Sequence, residues 1–99
     1  MVDNIYSYEP DYVVPPGEIL LDALEERSMT QTDLAKKMGL PRKAISNLIH
    51  ADQPLTDTIA MKLESVLGIS ATFWLNLERQ YRDGLERIKA AHSLTYYTD

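Results

Sequence analysis

An all-α fold of five helices is predicted by three features of this chain. Apolar residues recur at i, i+3 and i+4 through most of residues 16–92, the period of one buried helix face. Residues suited to starting and stopping helices punctuate that rhythm, with Thr30, Thr56 and Ser70 at the starts and Gly39 and Gly68 at the ends. No middle segment alternates as a strand does.

Residues 1–15 lack helical periodicity, and Pro10, Pro15 and Pro16 deny them a continuous helix. They are expected to form an extended arm whose Tyr6, Tyr8 and Tyr12, with Val13 and Val14, lie on the domain. The first helix is expected from about Pro16 to Arg27, with proline in its first turn and Ile19, Leu20, Ala23 and Leu24 facing inward. The second runs from Gln31 to Met38, opened by Thr30 with Asp33 three residues on, a shortened capping box. The third covers Arg42 to His50 and turns Ile45, Leu48 and Ile49 inward. The fourth follows Thr56 as far as Leu67, and the fifth follows Ser70 to about His92. Phe73, Trp74 and Leu77 are expected to close the core. The tail SLTYYTD has β-favouring content, so pairing of the two chain ends is a further expectation. The 99 residues read as one domain: arm 1–15, core 16–77, and a helical extension with tail 78–99.

Ala35, Gly39, Ile45 and Leu48 fall where two short helices crossing steeply need a small contact, a tight turn and two apolar plugs. That spacing is a helix-turn-helix. From Leu34 to Ala51 there are four basic residues and no acids, a charge of +4, in a chain whose net charge is −5. A basic face coinciding with a recognition fold implies a surface for duplex phosphates. In this arrangement the second helix enters the major groove. Arg42 and Lys43 suit guanine acceptors and Asn47 suits adenine. Ser46 fits a base or a phosphate. Gln31, Lys36 and Lys37 fit backbone phosphates, which set register without reading sequence. His50 either touches a phosphate or satisfies helix carbonyls as a C-terminal cation. The alternative for the whole face is a solvated basic surface on a five-helix bundle.

Other chemistry finds no residues to carry it. Zero cysteines exclude a disulfide framework and thiolate catalysis. Neither His50 nor His92 has a second ligand at metal-binding spacing, so no metal and no cofactor are expected. Glu25 and Glu26 are adjacent on a helix and point apart, a poor geometry for shared acid–base work. No phosphate loop or nucleophile elbow occurs, so no enzyme is expected. No apolar run approaches the ~20 residues that cross a bilayer. The acidic, Tyr-rich N-terminus is unlike a signal peptide, which makes the cytoplasm the expected compartment.

The fifth helix is longer than such a core requires. Its apolar stripe through Trp74, Leu77, Tyr81, Leu85 and Ile88 leaves area for a partner, and Gly84 would admit a close backbone. A two-fold homodimer built partly on residues 74–88 is expected, reading an operator palindrome. The alternative has Tyr81 and Leu85 folding back on their own domain. The pairs Glu78–Arg82, Arg79–Asp83 and Asp83–Arg87 stand at i, i+4 and support the helix in solvent.

From Pro16 to Arg82 the chain resembles the HigA-type (VapI-type) antitoxins of the XRE group of helix-turn-helix regulators. PGEIL, TQTDLA, ISNLI, the PLT cap and FWLNLE carry the resemblance. It implies a lambda-repressor-like core, a dimer that represses its own operon on double-stranded DNA, and a small mRNA-cleaving toxin as partner. By motif alignment it places Gln31, Arg42, Lys43, Ser46 and Asn47 toward DNA. Solitary regulators without a toxin also belong to the family. Another alternative is a protein-interaction module that kept the scaffold but lost operator binding. Three departures stand out: Ala51 where glycine is common, Pro41 for the usual Ser or Thr cap, and His50 where Asn is frequent. A basic toxin would suit the acids of the first helix, Glu18, Asp22, Glu25 and Glu26, beside Asp3, Glu9 and Asp11 of the arm.

Overall fold

The computed structural model describes the backbone of residues 13–98 and the side chains of residues 13–90. Within them lie five helices and no strand: α1 Pro16–Glu26, α2 Gln31–Met38, α3 Arg42–Ile49, α4 Asp57–Leu67 and α5 Ala71–Thr98. The predicted arm falls mostly on residues 1–12, outside the described residues. None of the described helices is long and apolar enough to cross a membrane.

Local chemistry sets the helix bounds. The Thr30 hydroxyl accepts from the Asp33 amide at 3.0 Å, and the Asp33 carboxylate accepts from the Thr30 amide at 3.1 Å. Two amides that a helix start leaves unpaired are thereby satisfied. These bonds hold the Asp33 carboxyl below its ordinary value. Gly39 ends α2 in the left-handed region at φ 69°, and the Lys62 ammonium donates to the Met38 carbonyl at 3.3 Å. Thr56 opens α4 and Gly68 closes it at φ 77°. The Ser70 hydroxyl and the Glu64 carboxylate accept from the first amides of α5.

The core is one apolar cluster in which Leu20, Leu34, Ile45, Leu63 and Trp74 are almost completely buried. α3 packs on α1 and α2, α2 also meets α4, and α5 closes the other side against α4 and α1. Gly17 is the closest approach. A Cβ there would lie 2.0 Å from the Ile49 carbonyl oxygen, so α1 rests directly on the end of α3. Arg27 ties the ends of α1 and α4 by donating to the Ala23 carbonyl at 3.0 Å and the Leu67 carbonyl at 3.1 Å.

Three expectations are corrected here. Phe73 does not close the core: it is 42% exposed, and its ring stands edge-on to Trp74, which fills the space instead. The tail is not a strand, because α5 continues to Thr98. Extending a helix already formed avoids the cost of nucleation, which outweighs a weak β preference. Among the i, i+4 pairs of α5, Glu78–Arg82 closes at 2.6 Å, whereas Arg79 turns to Asn76 at 2.8 Å.

Candidate nucleic-acid interface

α2 and α3 meet at the Gly39 turn, and their apolar sides fix which residues face outward. Leu34, Ala35 and Met38 bury one side of α2; Ile45, Leu48 and Ile49 bury one side of α3. Lys36, Lys37, Arg42, Lys43 and His50 are therefore exposed, while Gln31, Ser46 and Asn47 are half-buried. Their cationic groups form no ion pair among the described residues. Asp33, the acid nearest to Lys36 and Lys37 in sequence, is already engaged by Thr30.

The start of α3 carries no side-chain cap, because Pro41 stands at that position with φ −66°. No side chain accepts from its first amides beside Arg42 and Lys43, although the Ala44 amide donates to the Pro41 carbonyl at 3.0 Å. The end of α3 closes through Ala51, whose φ of 59° is left-handed. That conformation lets the Asp52 amide reach the Asn47 carbonyl at 2.8 Å. An alanine there pays a steric cost that glycine avoids.

Two side-chain bonds shape the outward surface of α3. Asn47 Nδ2 donates to Gln53 Oε1 at 3.4 Å, which tethers Asn47 from the loop behind it. His50 Nδ1 bonds the Ser46 carbonyl at 2.9 Å and approaches the Ser46 hydroxyl at 3.4 Å. His50 thus does satisfy a helix carbonyl. Gln53 is absent from the sequence-based candidates, since no local pattern links it to Asn47.

On α5 the structure separates the residues expected at a dimer interface. Trp74 is 0% exposed and lies inside its own core, so it cannot meet a partner. Gly84 has a close neighbour within its own molecule: a Cβ there would lie 2.3 Å from the Val13 side chain. Tyr81 and Ile88 are half-buried and Leu85 is 36% exposed. Leu77, Gln80, Tyr81 and Arg87 line a groove of about 220 Å³ with Val13 and Val14.

Residues 20–74 match the model of a family described as Helix-turn-helix. Antitoxin HigA-1 of Vibrio cholerae is 41% identical over 66 residues, which span 66% of this chain and 62% of that protein. The match therefore covers less than two thirds of that relative's length. A solved addiction module antidote protein of the HigA family from Coxiella burnetii is similar at TM-score 0.74 and 26% identity, over 84% of this chain and 91% of that one. A Pseudomonas aeruginosa protein solved in complex with its operator DNA is similar at TM-score 0.71 and 25% identity, over 76% and 82% of the two chains. With more than half its length matched by the family model, this chain belongs to the helix-turn-helix family, within the XRE group that includes the HigA-type antitoxins.

Proposed function

We propose that this chain is a sequence-specific DNA-binding repressor of the HigA type and the antitoxin of a toxin–antitoxin pair. It acts by occluding its own promoter and by neutralising a small mRNA-cleaving toxin. The likeness to a Vibrio cholerae antitoxin and to an operator-bound structure supports this reading. One observation carries it: Arg42 and Lys43 stand exposed at the uncapped start of a helix whose opposite side is locked into the core. A rigid element presenting unpaired cations at the positive end of its dipole fits a polyanion whose base edges accept hydrogen bonds.

In this reading Arg42, Lys43 and Asn47 read bases, while Gln31, Lys36 and Lys37 hold phosphates. Leu77, Tyr81, Leu85 and Ile88 form the two-fold contact of a homodimer, which would set its two α3 helices over half-sites about 34 Å apart. The exposed acids of α1, Glu18, Asp22, Glu25 and Glu26, face the basic toxin. The protein works in the cytoplasm and has no catalytic role or cofactor.

A gel shift with the DNA upstream of its own coding sequence tests the first half. Arg42→Ala is expected to cost about 1–3 kcal/mol on that DNA, about a fivefold to 150-fold loss, with a smaller loss on random duplex. Equal losses on both would reduce Arg42 to a phosphate contact, and no shift by the unaltered protein would end the operator reading.

A further inference from the structure

Resting on the DNA-binding reading above, we infer that His50 contacts a base as a hydrogen-bond acceptor, its target being the exocyclic amino group of adenine or cytosine. The geometry that points there is the bond from His50 Nδ1 to the Ser46 carbonyl, 2.9 Å long. A carbonyl oxygen has no hydrogen to give, so the proton in that bond sits on Nδ1. In the neutral ring this fixes the tautomer and leaves Nε2 with a bare lone pair. Nδ1 and Nε2 flank the same ring carbon. A ring tied to the helix at Nδ1 therefore holds Nε2 on its free edge, and the residue is exposed. Among the described residues only Ser46 bonds the ring. The charged residues nearest in sequence are Lys43 on the same helix and Asp52 in the loop that follows.

Phosphate oxygens carry lone pairs and no proton, so they have nothing to offer a neutral Nε2. The donors that the major groove presents are adenine N6 and cytosine N4. Arg42 and Ser46 in α3 and His50, the residue that caps its end, succeed one another at i, i+4, which sets them along one line. The eight residues of α3 with His50 at their end span about 13 Å, close to the width of the groove, so the capping residue stays within reach of base edges. The exposed cations Lys36, Lys37, Arg42 and Lys43 can only donate. His50 supplies the opposite chemistry, and beyond the acceptor oxygens of Ser46 and Asn47 it gives the end of this face a nitrogen acceptor for an amino group. Eight residues of rise separate Arg42 from His50, about 12 Å or three to four base steps.

The test is selection from a pool of duplexes with a randomised core, using the full chain and its His50→Leu, His50→Gln and His50→Lys variants, each shown to be folded by circular dichroism. The unaltered protein is expected to select adenine or cytosine three to four base pairs from the position that Arg42→Ala relaxes. His50→Leu is expected to lose that preference alone and to bind the selected duplex about five- to tenfold more weakly, with random-duplex binding unchanged. His50→Gln, which keeps an acceptor oxygen, should retain the preference in weakened form. His50→Lys, which has only donors, should abolish it. An unchanged motif with His50→Leu, or an equal loss on selected and random duplex, overturns the inference and leaves the repressor reading standing. Selection of no motif by the unaltered protein overturns both.

Discussion

Gly17→Ala should weaken the fold although it places a better helix former in α1. The Cβ it adds would lie 2.0 Å from the Ile49 oxygen and 2.6 Å from the Ile49 carbonyl carbon and Cα. Carbon and oxygen without a covalent bond settle at about 3.3 Å, so the two segments must part by about 1 Å. Both sides of the contact are backbone, and no rotamer change relieves it. Overpacking of this kind costs about 1–3 kcal/mol, and a contact this short belongs at the upper end. Replacing glycine inside a helix returns about 1 kcal/mol. The net loss is about 2 kcal/mol, or about 8–16 °C in Tm for a domain of this size. Thermal unfolding followed by circular dichroism reads it directly. Because Ile49 ends α3, operator affinity should fall in the folded fraction as well. A variant melting at or above the unaltered protein would show that helix propensity outweighs the contact, and the close packing of α1 on α3 would be refuted.

Ala51→Gly relieves the left-handed φ of 59° and should raise stability by about 1 kcal/mol in a denaturant titration; a loss would mean that the turn is unstrained. Asp33 titrates lower in the folded chain than its ordinary 3.8 because Thr30 bonds its carboxylate. Its stabilising share is therefore present above that value and fades as pH falls through the lower folded one. Asp33→Asn should accordingly flatten the acid limb of a Tm-against-pH curve, and an unaltered limb would count against the capping box. Reversing the charge at Asp22 and Glu26, both exposed on α1, should abolish co-purification with a basic toxin encoded alongside. Undiminished co-purification would place that contact elsewhere.

How much of this was legible in the sequence divides along the range of the interactions. The bounds of α2 and α4 were readable because Thr30, Asp33, Gly39, Thr56 and Gly68 act on amides and carbonyls a few residues away. The outward set from Lys36 to His50 followed from the positions of Leu34, Ile45 and Leu48 by helix period alone. Contacts that close over long stretches of chain were not readable. Gly17 meets Ile49, Arg27 reaches the Leu67 carbonyl, and Lys62 reaches the Met38 carbonyl, with no local pattern to announce them. Periodicity likewise shows that α5 has an apolar side without showing what covers it. Trp74 is covered by its own core and Gly84 by Val13, so two residues that read as interface from spacing belong to the inside of one chain. The bond that sets the His50 ring and the one that tethers Asn47 depend on side-chain rotamers, which residue order does not fix.

In the proposed function the basic side of α2 and α3 lies against duplex phosphates. Operator affinity measured across a salt series tests it most directly, for the unaltered chain and for Lys36→Ala with Lys37→Ala. The unaltered chain should lose affinity steeply with salt, and the double variant should show a log–log slope shallower by about 1.8, or 0.9 for each phosphate contact removed. Parallel lines for the two proteins would place the duplex on some other face.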